Sequence, residues 1–228
     1  MELNSVWRDK LDSLGFMDKK GLNVLVWPAP WNDMRVEAFL EDPRVSNIFF
    51  VNGGEMEGRQ ERTAEIHEKF VSLDNHLDRG LLNHDIPDLV SNGEIPEIDI
   101  ELARDPAMAV VHNPKLKDVN KRMSGKTDEK TKKKIFQEEH KLFVEIMEKT
   151  AATSQKIIGK NGVSIYDTDH FGYNFGASDW KIFMNNPPEK RREIHLEELG
   201  KIFSSHFQDI QMTNDPNKQR EFFILSNR

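Results

Sequence analysis

Two long stretches of the chain repeat apolar residues at intervals of three and four. In residues 128–156 the apolar positions include Phe136, Phe143 and Met147, and Lys and Glu fill most of the positions between them. Residues 189–207 show the same spacing. This periodicity is typical of amphipathic helices, so both stretches are predicted to be helical with one buried face.

Short apolar runs predict strands nearer the start of the sequence. Residues 23–27 (NVLVW) and 45–51 (VSNIFFV) are rich in β-branched and aromatic residues. Residues 34–41 between them have helical spacing, so the three segments resemble a right-handed βαβ unit. The loops at 28–33 and 52–58 would then lie at the edge of the sheet where ligands usually bind. A plain sheet edge with turn-forming glycines is the alternative.

The spacing also predicts helices on either side of this unit. One covers residues 2–19 and another residues 55–72, and a third runs from Asp74 through Leu77, Leu81 and Leu82. The second and third would form an antiparallel helical hairpin because the connection between them is short. Residues 221–225 are predicted to add a last strand.

Together these elements predict the fold class and the domain organisation. We expect an α+β fold, with a mainly helical core and a small N-terminal βαβ-type unit; a three-layer α/β fold is the alternative. A chain of 228 residues suits one domain, 1–228. The alternative is a subdivision into 1–114 and 127–228 around a mobile basic segment, 115–126.

Composition excludes several classes of protein. The formal net charge of −7 argues against a protein that coats duplex DNA. The sequence has no cysteine, which excludes disulfides, zinc–thiolate sites and thiol nucleophiles. No apolar run approaches the length of a membrane span, and no signal-peptide core is present. We therefore expect a soluble, cytoplasmic protein with no membrane partner.

Histidine and aspartate side chains suggest a chemistry in the segment LLNHDIPDLVSNGEIPE. His84 and Asp85 follow a short apolar run, and Asp88 comes three residues later. Imidazole and carboxylate are common ligands of divalent metal ions, and an acid one helical turn away can handle protons. The predicted helical hairpin would bring His67 towards this doublet. Asp167 and Asp169 form a second acidic pair, an Asp-x-Asp pattern.

The segment GRQERTAEIHEKF, together with LLNHDIPDLVSNGEIPE, resembles the HD-domain phosphohydrolases. The similarity is strongest to their 5′-deoxynucleotidase branch and covers about residues 59–96. That family is helical and binds a divalent ion through one His, a His-Asp doublet and a distant Asp. Here Asp88 stands where that branch has Glu, and Gly93-Glu94-Ile95-Pro96 resembles its Gly-Asp-aliphatic-Pro turn.

The resemblance implies a metal-dependent phosphohydrolase that acts on a nucleotide-like phosphate ester. A metal ion (Mn, Fe, Co or Zn) would activate a water molecule, and Asp88 would move the proton. Arg59 or Arg62 would neutralise the charge of the small phosphate-bearing substrate. The implied metal ligands are His67, His84, Asp85 and one of Asp167 or Asp169.

Two other classes of function remain open on the sequence. The segment IIGKNGVSI, with Gly159 and Gly162, resembles the glycine loop of KH domains, which implies an RNA-binding module that also uses the basic residues 115–134. The other class is a non-enzymatic interaction protein of viral or effector type, which would bind a protein partner.

Overall fold

The fold is taken from a computed structural model of the chain. The structure describes residues 9–27, 39, 41–52, 70–74, 77–78, 81–82, 85–104, 128–168, 185–215 and 220–227. Within these ranges, no helix is both long enough and apolar enough to cross a membrane.

Nine strands and three helices make up the described part of the chain, after a short helical segment at Asp12–Phe16. The strands are β1 Leu22–Trp27, β2 Val45–Asn52, β3 Phe70–Asp74, β4 Leu77–Asp78, β5 Leu81–Leu82, β6 Ile98–Arg104, β7 Ile158–Thr168, β8 Asp209–Asp215 and β9 Arg220–Ser226. The helices are α1 Ile86–Ser91, α2 Glu129–Ile157 and α3 Pro188–Ser204.

Seven of these strands form one sheet in the order β3-β2-β1-β6-β7-β9-β8. The five adjacent strands β3, β2, β1, β6 and β7 are parallel to one another. Strand β9 is antiparallel to both β7 and β8, so β8 points the same way as the parallel strands. Among the described strands, β4 and β5 pair with each other and with no other strand.

Both faces of the sheet are covered by apolar side chains. On one face, Leu25, Phe49 and Leu225 belong to a core that includes buried residues of all three helices. On the other face, Val24 and Ile48 pack in a second core with residues such as Phe16 and Phe39. Strands buried on both sides read as continuous apolar runs, which explains why residues 23–27 and 45–51 were recognisable in the sequence.

The two long helices confirm the prediction made from apolar spacing. Helix α2 begins after Asp128, whose side chain accepts a hydrogen bond from the Thr131 amide at 2.8 Å and caps the helix. Its apolar stripe is buried against the sheet and α3, where the Phe143 and His195 ring centroids lie 5.3 Å apart. Helix α3 covers most of the stretch predicted at 189–207.

The mainly helical core predicted from the sequence is wrong, and the α/β alternative fits the structure better. Residues 70–72 were predicted to end a helix but belong to β3, at the outer edge of the sheet. Leu77 and Leu82 were predicted to lie on a helix but pair as antiparallel strands. Parallel pairing to β2, more than 15 residues earlier, stabilises β3 and overrides its local helical spacing.

Three strands were missed because polar residues or glycines interrupt them. Strand β6 (IDIELAR) contains two acids, β7 (IGKNGVSIYDT) contains two glycines, and β8 (DIQMTND) has little apolar content. The predicted last strand at 221–225 is confirmed within β9. The predicted helix at 34–41, apart from Phe39 and Glu41, lies outside the described residues.

Candidate functional site

The carboxyl edge of the parallel strands is the natural place for a ligand. The chain passes from β1 to β2 on one side of β1 and places β6 on its other side, so the direction of winding reverses there. In open α/β sheets, ligands bind in the crevice outside the carboxyl ends of the strands at such a reversal. The candidate site therefore lies beyond the ends of β1 and its neighbours β2 and β6.

Polar residues end several of the strands at this edge. Asn52 and Asp74 are paired at the ends of β2 and β3. Arg104 is paired with Asp167 at the ends of β6 and β7. These residue types include both hydrogen-bond donors and hydrogen-bond acceptors.

Residues 28–33, which follow β1 in the sequence, differ in composition from the glycine-rich turn of a dinucleotide-binding fold. They read PAPWND and contain no glycine. A pyrophosphate cradle needs glycines at this turn, because the backbone must approach the phosphates closely. Proline also lacks an amide proton, so residues 28–33 do not have the composition of a phosphate-binding turn.

Glu101, in the middle of β6, is the centre of a buried polar cluster. Its Oε1 accepts hydrogen bonds from Trp27 Nε1 at 2.6 Å and from Ser154 Oγ at 2.8 Å. The Ser164 hydroxyl donates to Oε2. The hydroxyls of Ser154 and Tyr166 are 2.5 Å apart, which extends the cluster to a fifth residue.

All five residues of this cluster, which we call the Glu101 cluster (Trp27, Glu101, Ser154, Ser164 and Tyr166), are at most 1% exposed. Burial raises the pKa of Glu101, and the hydrogen bonds from Ser164, Trp27 and Ser154 oppose that rise. Burial and the Glu101 charge raise the pKa of Tyr166 well above its ordinary value. In the described part of the chain, no Lys, Arg or His contacts Glu101.

His195 is a second buried ionisable residue, on α3. It is 1% exposed, and burial lowers its pKa to about 4. Its imidazole is therefore neutral at pH 7, as expected for a histidine that packs in a core rather than one that carries charge at a surface.

The structure describes few of the residues predicted to form the site. Arg59, Arg62, His67, His84 and Asp169 lie outside the described residues.

Asp85, Asp88 and Asp167 fall within the described elements. Asp85 is the N-cap residue of α1 and makes no side-chain capping hydrogen bond, and Asp88 is exposed in the first turn of that helix. Helix α1 leads through Gly93 to the amino end of β6. Asp167 lies at the carboxyl end of β7.

The predicted divalent metal is wrong as the cofactor, and the helical hairpin that supported it does not form. The hairpin was predicted from helices at 55–72 and from Asp74 onwards. The described residues of both segments instead form strands β3, β4 and β5, so the geometry that was to bring His67 near His84 is absent. No group of three or more His, Asp or Glu side chains suited to a metal ion occurs within the described ranges.

The KH-type glycine loop is also wrong. Gly159 and Gly162 lie inside β7, which follows α2 directly, rather than in a loop between two helices. A Cβ atom on Gly162 would lie 2.8 Å from the carbonyl oxygen of Ile98, so glycine is required there for the close approach of β6.

The sheet order, the reversal at β1 and the antiparallel β9 define a doubly wound α/β fold. No protein-family model matches the sequence, and no curated protein matches it significantly. The fold is similar to that of the CurJ carbon methyltransferase, with a TM-score of 0.50 and 10% identity. That match covers 91% of this chain, which spans only 49% of the methyltransferase chain.

Two further solved structures match with lower scores. One is a fibrillarin pre-rRNA processing protein of Methanococcus jannaschii (TM-score 0.49, 12% identity, 91% of this chain and 67% of that one). The other is a precorrin-6y C5,15-methyltransferase of Geobacter metallireducens (TM-score 0.46, 10% identity, 98% and 86%).

These findings overturn the resemblance to the helical HD-domain phosphohydrolases. The chain folds around a largely parallel sheet, and the segment that carried the resemblance contributes strands β3 to β5 and α1. The predicted hydrolase function and metal-dependent mechanism are therefore also wrong, because both depended on a helical scaffold for the metal ligands.

Sequence reasoning missed Glu101, although the sequence contains a signal for it. The run IDIELA alternates apolar and acidic residues, as in a strand with one solvated face. In the structure both faces of β6 are covered, so the second acid is buried. If residues 98–103 had been assigned to a central strand, Glu101 would have been expected to be buried. A buried acid is a candidate functional residue.

Proposed function

We propose that the protein is a methyltransferase that binds S-adenosylmethionine at the carboxyl edge of its sheet. The observation that carries the proposal is the strand order β3-β2-β1-β6-β7-β9-β8, with the reversal of winding at β1 and the antiparallel β9 between β7 and β8. The similarity in fold to a carbon methyltransferase supports it. A hydrolase is not supported by either observation.

The residues at the strand ends fit the nucleoside part of this ligand. Asn52 and Asp74 end the neighbouring strands β2 and β3 in register. A residue near the end of the second strand is well placed to bind ribose hydroxyls in doubly wound folds, and amide and carboxylate oxygens accept hydrogen bonds from hydroxyls. When bound, S-adenosylmethionine supplies an electrophilic methyl group.

The composition of residues 28–33 also bears on the identity of the ligand. PAPWND has no glycine with which to wrap a pyrophosphate, so a dinucleotide is a poorer fit to this edge than a nucleoside without phosphates. S-adenosylmethionine carries no phosphate. The composition of residues 28–33 therefore argues against NAD or FAD as the ligand.

Isothermal titration calorimetry tests the proposal by measuring the binding of S-adenosylhomocysteine, the nucleoside product of methyl transfer. We expect saturable one-to-one binding, and a loss of affinity of about five- to tenfold in Asn52→Ala, the usual effect of one lost hydrogen bond. Asn47→Ala is the matched control, because Asn47 is on the same strand near its amino end, where it donates to Asn23 at 2.9 Å.

The two variants separate a specific site from a general effect. Equal affinities in the wild type and Asn47→Ala, with weaker binding in Asn52→Ala, support a ligand at the carboxyl edge. Absence of binding by the folded wild-type protein at millimolar S-adenosylhomocysteine would reject the proposed function.

A further inference from the structure

The Glu101 cluster lies next to the proposed ligand-binding edge. Glu101 pairs in register with Leu25 of β1 and Ser164 of β7. Two residues nearer the carboxyl edge, Ala103 pairs with Trp27 and Tyr166.

Large aromatic residues thus lie on both sides of a small one, in the row that is one residue short of the end of β6. Trp27 is the final residue of β1, and Ala103 is the penultimate residue of β6. All three residues of the row are buried. The tip of each aromatic side chain is bound into the cluster, Trp27 directly by Glu101 and Tyr166 through Ser154.

The same contacts connect the strand ends to the helical layer. Ser154 belongs to α2, and the Tyr166 ring packs edge-on against Phe203 of α3, with centroids 4.9 Å apart. One carboxylate therefore connects β1, β6, β7 and α2. A displacement of this carboxylate would be transmitted to both aromatic residues and to the helix.

Stability alone gives a poor account of a carboxylate at this position. A buried acid with no cation in contact among the described residues is costly, and replacing the whole cluster by apolar side chains of similar volume is often neutral or stabilising. Perturbed buried acids are concentrated at functional sites. Glu101 is fully buried and does not reach solvent, so it is suited to holding other residues rather than to reacting.

We propose that Glu101 is a positioning residue of the ligand-binding edge, where it holds Trp27 of β1 and Tyr166 of β7 on either side of Ala103. Through these two residues it fixes the separation of the strand ends that border the crevice. The inference rests on the proposed function only for the identity of the ligand, S-adenosylmethionine.

Ser154→Ala tests the proposal because it removes one hydroxyl and breaks the link from Glu101 to Tyr166. Its matched control is Thr153→Ala, which removes the neighbouring hydroxyl, bound to the Lys149 carbonyl oxygen at 2.9 Å. Amide hydrogen exchange is measured in the ligand-free protein for the carboxyl halves of β6 and β7 and for the amino half of β6. S-adenosylhomocysteine affinity is measured in parallel.

We expect Ser154→Ala to accelerate exchange at Ala103 and Tyr166 by about tenfold, as for a lost buried hydrogen bond, and to leave Ile100 within about twofold of the wild type. Its affinity for S-adenosylhomocysteine falls by about tenfold. Thr153→Ala changes neither quantity. Glu101→Gln, which keeps an acceptor oxygen for Trp27 and Ser154, retains affinity within about threefold.

The possible results bear separately on the positioning role of Glu101 and on the proposed function. Uniform acceleration along β6, or no difference between Ser154→Ala and Thr153→Ala, overturns the positioning role. So does faster exchange at the strand ends with unchanged affinity. If the wild type does not bind S-adenosylhomocysteine, the proposed function fails and the exchange pattern alone decides the inference. Tyr166→Phe breaks the same link and replaces Ser154→Ala if that variant does not fold.

Discussion

At the scale of single residues, burial shifts the pKa values of two ionisable groups in opposite directions. Burial raises the pKa of Glu101 and lowers that of His195 to about 4, and in both cases it favours the neutral form. Stability falls as pH rises above the ordinary glutamate pKa because of Glu101. Stability falls as pH drops from the ordinary histidine pKa of 6.5 towards 4 because of His195.

The variant Glu101→Gln separates the effect of Glu101 on the pH dependence of stability from that of His195. A folded-state pKa above the unfolded value means that the native protein binds the proton more tightly, so ionisation at higher pH costs stability. We expect the variant to lack this loss and to gain stability relative to the wild type as the pH rises above the ordinary glutamate pKa of 4.5, by up to about 1.4 kcal/mol per pH unit. Urea denaturation at several pH values measures the difference.

The His195 contribution cancels in this comparison because both proteins contain it. Glu97→Gln is a suitable control, since Glu97 is exposed on the turn before β6. A difference between Glu101→Gln and the wild type that does not change with pH would contradict the raised pKa of Glu101.

At the scale of elements, β7 is a strand in spite of its sequence rather than because of it. Gly159 and Gly162 weaken strand propensity, and the pairing of β7 with β6 is irregular between Ile98 and Ile100. The strand persists because it pairs on both sides, with β6 and β9, and because its apolar residues, such as Ile165, are buried. Gly162 allows the backbones of β6 and β7 to approach closely where the pairing is irregular, and Gly159 leaves room for the Glu97 side chain.

Two glycine substitutions in different elements should have opposite effects on stability. Gly162→Ala places a methyl group 2.8 Å from the Ile98 carbonyl oxygen, so we expect a loss of about 1–3 kcal/mol. Gly200→Ala on α3 meets no atom within 4 Å and should stabilise the helix by about 0.5–1 kcal/mol. Thermal and urea unfolding of both variants measures the pair; equal effects would show that the close approach of β6 does not constrain position 162.

At the scale of the whole molecule, the sheet joins segments that are distant in sequence. Strand β6, which ends at Arg104, is paired along its length with β7, which begins at Ile158. The boundary of the alternative two-part division, 115–126, falls between these two neighbouring strands. A single domain, 1–228, remains our proposal.

This organisation predicts one cooperative unfolding transition. Separating β6 from β7 would expose apolar residues on both faces of the sheet, so neither half should unfold alone. We expect circular dichroism and tryptophan fluorescence to give the same midpoint in urea, in the full-length protein. Two separated transitions would support the division into 1–114 and 127–228.

Local pattern was sufficient for part of the fold. Helices α2 and α3, and strands β1, β2 and β9, were predictable because their apolar spacing agrees with their final environment. Strands β3 to β5 were not, because helical spacing in their sequences competes with pairing to other strands. The predicted site residues were chosen for their chemistry, and most of them lie outside the described residues.

The sequence by itself determined that the chain has two long amphipathic helices, β-prone apolar segments at each end and no thiol chemistry. Only the tertiary structure decided that these segments share one sheet, that the winding reverses at β1, and that Glu101 is buried among Trp27, Ser154, Ser164 and Tyr166. The physical reason is the sequence separation of the interacting residues. Periodicity depends on neighbours a few residues apart, whereas Glu101 meets its partners across 53 to 74 residues, at positions that only sheet pairing brings together.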